Sequence, residues 1–229
     1  MSIAQEKRLA AEAAAEVVED GMTVGLGTGS TVAFLLPAIA RRGLDLRCVA
    51  TSPATEAVAR ELGLEVESFG GPRAPVRLDV TIDGADQVAP SGWLVKGGGG
   101  AHTREKAVAA AADRFVVIVS SDKLVERLSS PVPLELLEFG LAATLRRLGT
   151  VRVRDVPYSP DGGIIADYVG ELGDPEALAT QLSATVGVVE HGLFSAAMVF
   201  EVIVARGDTV ERIVPAPSVK PPAAASSAS

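Results

Sequence analysis

Two hydrophobic rhythms alternate along the first half of the chain. Short apolar runs bounded by Gly, Asp or Ser, namely "MTVGLG", "LDLRCVA", "LEVESFG", "LDVTID" and "RFVVIVSS", have the length and texture of buried strands. Between them lie stretches with helical spacing. Ile3 to Glu19 reads as an Ala- and Glu-rich helix stopped by Asp20-Gly21, and "STVAFLLPAIARRG" as a helix ending at Gly43. Pro37 inside the latter predicts a kink or a displaced boundary. "PATEAVARELG" and "REKAVAAAAD" complete the helical set. Strands alternating with helices of about ten residues predict βαβ units, hence an α/β fold with a parallel sheet covered on both faces.

After Ser129 the texture changes. "PLELLEFGLAATLRRLG" has the spacing of one helix, "VRVRDV" and "GIIADYV" alternate like half-exposed antiparallel strands, and "PEALATQLSAT" is helical again. "AMVFEVIVARG" returns to a buried strand. The pattern predicts a main domain over 1–128 and 195–214, a smaller α+β domain over 129–194, and a disordered Pro/Ala/Ser-rich tail over 215–229.

Composition narrows the class. With 229 residues, 48% of them hydrophobic, the chain can bury a sizeable core. Its apolar runs are broken well short of a membrane span, and the charged N-terminal stretch lacks the apolar segment of a signal peptide. The lone cysteine, Cys48, lies in a strand-like run and reads as a core thiol. These features predict a cytoplasmic protein. A net charge of −8 argues against general binding to nucleic acid or anionic membrane, and aromatics at 4% give no stacking platform for bases. A small anionic substrate stays compatible, given a local cluster of Lys and backbone N–H groups. Two histidines, His102 and His191, with one cysteine offer no metal-ligand spacing, leaving only a carboxylate Mg²⁺ site as a weak option.

Four segments, each following a strand, carry candidate chemistry. "GLGTGSTV" (25–32) opens a helix: its glycines admit close backbone approach, and Ser30, Thr31 and the helix N-terminus offer donors to an anion. It has neither the Lys-Ser/Thr pair of a Walker loop nor clean GxGxxG spacing, and the bland alternative is a tight turn with Ser30 as N-cap. "DGAD" (83–86) places two carboxylates where ligands gather in parallel sheets, suited to proton handling or a metal, or else forms a turn in which Asp83 caps a local N–H. In "KGGGGAHTREK" (96–106), four glycines each give up about 0.5–1 kcal/mol relative to Ala on ordering. That cost suits a backbone approaching a ligand, with Lys96 at the edge and Glu105 one turn into the next helix; otherwise the run is a flexible loop and Glu105 a helix-start carboxylate. His102 reads as a loop residue. Lys123 in "SSDKLV" is by itself a surface lysine, but its place beyond another strand brings it towards the other three segments.

In this order and spacing, "GLGTGST", "DGAD", "KGGGGA..REK" and "SSDKLV" resemble the type A ribose-5-phosphate isomerases, with similarity running to about residue 214. The resemblance implies a Rossmann-like α/β domain with a smaller α+β, ferredoxin-like domain. It also implies an enzyme without cofactor or metal, acting as a homodimer or homotetramer on a phosphosugar in the pentose phosphate pathway. By the same resemblance, Thr28, Gly29, Ser30 and Thr31 match the substrate loop. Asp83, Gly84, Ala85, Asp86, Lys96, Gly97, Gly98, Gly99 and Lys123 match further substrate contacts. Glu105 matches the general base. The enediolate chemistry of an aldose–ketose isomerase then casts Asp83 as hydroxyl-proton relay and Lys96, with the glycine N–H groups, as stabiliser of the oxyanion. Asp86 orients a hydroxyl or holds Lys96. The chain departs from the family's usual Glu after "DGAD" (Gln87), from apolar residues before "REK" (His102, Thr103), and from "SK" before "LV" (Asp122), which bears on affinity and pH optimum. Two other readings compete. A sugar-phosphate deaminase would want a well-placed histidine, and a sugar-phosphate sensor usually accompanies a basic recognition helix that this sequence lacks.

Overall fold

The computed structural model describes residues 2–215, so the tail expected over 215–229 falls outside it apart from Pro215. Helix α1 (Ile3–Ala15) starts at a capping box in which Ser2 Oγ accepts from Gln5 N and Gln5 Oε1 accepts from Ser2 N. It stops at Ala15 rather than Glu19. The Arg42 guanidinium takes the Ala15 and Val18 carbonyls that another helical turn would have used. Then follow β1 (Thr23–Leu26), α2 (Val32–Ala40), β2 (Arg47–Ala50), α3 (Pro53–Glu61) and β3 (Glu65–Glu67). Pro37 is accommodated inside α2, which ends at Ala40, short of Gly43. Next come β4 (Leu78–Asp83), β5 (Gln87–Val88), β6 (Leu94–Val95), α4 (His102–Ala110) and β7 (Ala112–Ser120).

The segment read as one helix after Ser129 is instead β8 (Val132–Leu136) followed by α5 (Leu141–Leu148). Pro133 cannot donate within a helix, whereas in β8 its carbonyl accepts from Gly192 N at 2.7 Å. Gly140, at φ +78°, separates the two elements. After β9 (Val151–Val153), β10 (Ile164–Tyr168), α6 (Pro175–Ser183) and β11 (Val188–His191) come β12 (Leu193–Phe194), β13 (Glu201–Arg206) and β14 (Thr209–Ile213).

The main sheet has seven strands in the order β14-β13-β7-β4-β1-β2-β3, all neighbours parallel except the β13–β14 edge pair. Its two faces separate with the strand period of two. Val116, Ile118, Ile203 and Ala205 join α1 and α2 in one core, while Phe115, Val117, Val119, Val202 and Val204 meet Ala109 of α4 and the small β12-β6-β5 sheet on the other. Cys48 is buried in the first core, as its apolar context predicts, and burial pushes its thiol up to about 12. From β1 the chain adds β2 and β3 on one side, then crosses to β4 on the other. The β1/β4 boundary is therefore the switch point at which open α/β sheets bind ligands.

The remaining strands form an antiparallel sheet, β11-β8-β10-β9, whose βαββαβ order is ferredoxin-like. The alternation in "GIIADYV" predicts a half-exposed strand, but β10 is buried on both sides. Ile164 and Ala166 pack with Leu178 and Leu182 of α6, and Ile165 faces Gly100 of the glycine run. Among the described residues no helix is long and apolar enough to cross a membrane.

Candidate active site

The switch point opens into a cleft lined by Thr28–Thr31, Gly84–Asp86, Lys96–Gly99, Glu105 and Lys123. Four segments separated by up to 95 residues thus converge, and every catalytic or substrate-binding residue that the resemblance implies, except Asp83, lines the opening. Asp83 lies just behind it, 1% exposed.

The base of the cleft is an ionic triad. Lys96 Nζ stands 2.9 Å from Asp83 Oδ2 and 3.1 Å from Glu105 Oε2, and all three side chains are buried. Lys96 also donates to the Gly84 carbonyl. Asp83 Oδ1 accepts from Thr28 N at 3.0 Å and from Gly84 N at 2.7 Å, so the capping expected of a turn aspartate and a place beside the ligand cleft coexist in one side chain. Gly27 is required beside it: a Cβ there would come within 2.0 Å of Asp83 Oδ1.

Glu105 is held differently. Its Oε2 receives no aligned hydrogen bond, although the Lys96 ammonium is close. Burial, then the neighbouring Asp83 charge, push its carboxyl up to about 8 against the pull of Lys96. Burial also raises Asp83, opposed by Lys96 and by the Gly84 and Thr28 N–H groups. Lys96 runs the other way: burial alone would lower it, but the two carboxylates outweigh that and hold it firmly as a cation.

Helix α4 aims Glu105 by anchoring its neighbours to the ferredoxin-like sheet. Thr103 donates to Glu135, Arg104 makes a two-pronged pair with Asp161 at 2.7 and 2.8 Å, and Lys106 Nζ meets Glu190 Oε1 and the His191 carbonyl, each at 2.6 Å. His102 is not a loop residue but the first residue of α4, fully buried beneath Gly97, with no hydrogen bond to either ring nitrogen. Burial first, then the Lys106 charge, lower it to about 4, so it is neutral across the physiological range. His191, also pushed down by burial to about 4, bonds Ser183 and the Leu193 N–H away from the cleft.

Asp86 takes the Gly98 N–H at 2.7 Å rather than Lys96. At the other end of the cleft Ser30 does not cap α2. Thr31 occupies that position without a side-chain cap bond, while Ser30 Oγ accepts from Lys7 Nζ at 2.9 Å. Lys7 escapes sequence reasoning because it lies mid-helix in α1 with nothing local to mark it. The adjacent Glu6 is equally silent, yet it accepts from Ser121 N, Ser121 Oγ and Gly207 N and so fixes the 3₁₀ turn that carries Lys123. Gln87 points away from the cleft, exchanging two hydrogen bonds with the Ser129 backbone at 2.9 and 2.8 Å. Asp122 accepts from Ser120 Oγ and lies 3.6 Å from Lys123 Nζ. Among the described residues no group of three or more His, Cys, Asp or Glu is placed to hold a metal ion.

A switch-point cleft with cations and the start of helix α2 at one end, and a carboxylate of raised proton affinity at the other, defines an α/β acid–base enzyme for a small anionic substrate. The chain belongs to the ribose 5-phosphate isomerase A (phosphoriboisomerase A) family, whose profile matches residues 47–209. It is 44% identical over 210 residues to ribose-5-phosphate isomerase A of Caulobacter vibrioides, covering 85% of this chain and 91% of that one. The Natronomonas pharaonis protein of the same name is 43% identical over 220 residues, covering 90% and 95%. The crystal structure of ribose 5 phosphate isomerase A from Neisseria gonorrhoeae superposes with a TM-score of 0.88 at 31% identity, over 94% of this chain and 99% of that one. A D-ribose-5-phosphate isomerase in complex with phospho-erythronic acid superposes with a TM-score of 0.86 at 31% identity, over 93% and 99%.

Proposed function

We propose that this chain interconverts D-ribose 5-phosphate and D-ribulose 5-phosphate through an enediolate, with Glu105 as the carbon base. The observation that carries the reading is the buried carboxylate–ammonium–carboxylate triad at the family's cleft, with one carboxylate short of hydrogen bonds. Starting from the aldose, Glu105 removes the C2 proton. The electron pair forms the C1–C2 double bond, and negative charge passes to O1, opposite the Lys96 ammonium. A hydroxyl proton moves from O2 to O1, and Glu105 returns its proton to C1. Atoms and electrons balance within the sugar.

In this reading two roles are assigned by the local hydrogen bonding. Both Asp83 oxygens are engaged by Lys96, Thr28 and Gly84, which suits Asp83 to orienting Lys96 rather than relaying a proton itself. Asp86 faces the cleft and spends one oxygen on Gly98, which suits the other to the hydroxyl relay. The 5-phosphate goes to the opposite end, among Ser30, Thr31, Lys7 and Lys123 at the start of α2. A deaminase is disfavoured because both histidines are buried away from the cleft lining.

The same reading has the chain working in the cytoplasm as a homodimer or homotetramer. Exposed apolar side chains near one end of the ferredoxin-like sheet support assembly: Phe139 is 96% exposed and Val186 73%, with Leu137 and Tyr158 beside them. Sedimentation of wild type against Phe139→Ser tests that part. The activity itself is tested by incubating purified protein with ribose 5-phosphate and EDTA and following ketopentose. Steady formation is expected, and none at all would overturn the assignment.

A further inference from the structure

Arg154 follows edge strand β9, outside every segment that carries the family motifs, yet it reaches the glycine run. Its guanidinium is clamped by Asp167 of β10, with Nε to Oδ2 at 3.0 Å and Nη2 to Oδ1 at 2.7 Å. The remaining nitrogen, Nη1, donates to the Gly98 carbonyl at 2.8 Å and the Gly97 carbonyl at 3.3 Å. Both partners are largely buried, at 17% and 6% side-chain exposure, so solvent screens the pair little. Burial alone would raise the Asp167 carboxyl, but the Arg154 hydrogen bonds and charge outweigh it and hold it below the ordinary range. Five fixed donors on a rigid plane allow one side chain to grip a carboxylate and two carbonyls together.

The consequence follows from peptide planarity. In a trans peptide the C=O and the next N–H point in opposite directions. With the Gly97 carbonyl turned to Arg154, the Gly98 N–H is directed to the far side, where Asp86 receives it at 2.7 Å. With the Gly98 carbonyl turned to Arg154, the Gly99 N–H is likewise sent to the opposite side, and Gly99 lines the cleft. The Gly97–Gly98 peptide is also held by Gly100 N, which donates to the Gly97 carbonyl at 2.9 Å, and by Asp86, whereas the Gly98 carbonyl of the next peptide has Arg154 as its hydrogen-bond donor.

We infer that Arg154, braced by Asp167, is a positioning residue for the isomerisation: it sets the peptide planes of the glycine run so that the Gly99 N–H points at the developing oxyanion. The ferredoxin-like sheet thereby becomes part of the catalytic wall as well as the anchor of α4. The inference rests on the isomerase reading above. Oxyanion donors act through direction more than through ground-state binding, so the loss falls on kcat.

The test compares wild type, Arg154→Ala, Arg154→Lys and Asp167→Asn in ribose 5-phosphate isomerisation, each checked for an unchanged circular dichroism spectrum. Wild-type turnover validates the parent reading independently; its absence would sink that reading and leave the Arg154 geometry unaddressed only by this assay, so peptide N–H chemical shifts of Gly98 and Gly99 are measured in the same proteins. For Arg154→Ala the expected result is a kcat lower by about 10²-fold, the size of an ångström-scale misplacement, with KM changed less than threefold. The Gly99 resonance shifts, and millimolar guanidinium restores part of kcat. Arg154→Lys keeps the charge and the fold but loses the fork, and falls between. Asp167→Asn gives a smaller loss of the same kind. A folded Arg154→Lys or Arg154→Ala with kcat within twofold of wild type, a rise in KM alone, or unmoved Gly99 shifts would each overturn the proposal.

Discussion

Glu105 Oε2 lies 3.1 Å from Lys96 Nζ without an aligned hydrogen bond, while the same ammonium bonds Asp83 Oδ2 and the Gly84 carbonyl. The contact is close without being saturated, and it becomes an ion pair as Glu105 ionises through about 8. A buried polar atom left short of partners calls for a reason, and a carbon base supplies one: each added donor would lower its proton affinity. The arrangement keeps positive charge beside the reacting centre while leaving the Glu105 oxygen free to take a proton.

The raised Glu105 carboxyl sets the pH dependence. The base acts ionised, so the free protein loses activity as pH falls through about 8. A profile of kcat/KM for ribose 5-phosphate isomerisation should show its acidic limb near that value. A limb near 4.5, the ordinary value for this carboxyl, would mean that burial does not govern it.

Stability carries the opposite signature. Because the folded value lies above the unfolded one, Glu105 costs stability as pH rises from about 4.5 to about 8, and the cost then levels off. Glu105→Gln removes it. The variant should melt with wild type near pH 4 and progressively above it towards pH 8 to 9, as followed by calorimetry; a constant offset would contradict the linkage.

Gly27→Ala tests the Asp83 bracket. The new Cβ would overlap the Asp83 carboxylate, so Asp83 and with it Lys96 must move. A loss of about 10²-fold in kcat is expected from such a displacement. Unchanged turnover would show that the triad tolerates rearrangement.

Lys7→Ala probes the far end of the cleft. Lys7 touches Ser30 and no member of the triad, so its loss should raise KM for ribose 5-phosphate with kcat nearly unchanged, the mark of uniform binding. A fall in kcat at constant KM would move the phosphate elsewhere.

Gln87→Glu addresses a departure from the family pattern. The amide both donates to and accepts from the Ser129 backbone, whereas a carboxylate can only accept. Denaturant titration should show a destabilisation of about 1 kcal/mol, with activity preserved because the residue points away from the cleft.

Much of this is written locally in the chain. The parallel strands, the helices between them and all four loop segments are legible because strand-end glycines and acidic turns mark themselves within a few residues. Three kinds of feature are not. The β8–α5 segment carries apolar spacing that fits helix or strand, and only its two neighbours, β10 and β11, decide. The β5–β6 hairpin, which turns the chain back to deliver Lys96, is made of two-residue strands too short to show a period. Long-range supports such as Glu6, Lys7, Arg154 and Asp167 act 23 to 201 residues from some of the partners they hold or within another sheet, and nothing in their own neighbourhood reports it. His102 is the instructive miss: flanked by glycines and polar residues it resembles a loop, but Gly97 folds over it and buries it completely.

Whether Glu105 moves the carbon-bound proton is decided by one comparison. Wild type and Glu105→Gln are incubated with ribose 5-phosphate in D₂O while proton NMR follows both ketopentose formation and loss of the carbon-bound signals. Turnover is expected in wild type, with both signals of proton transfer suppressed by at least about 10³-fold in a folded variant that still binds substrate. A Glu105→Gln protein isomerising within tenfold of wild type would contradict it.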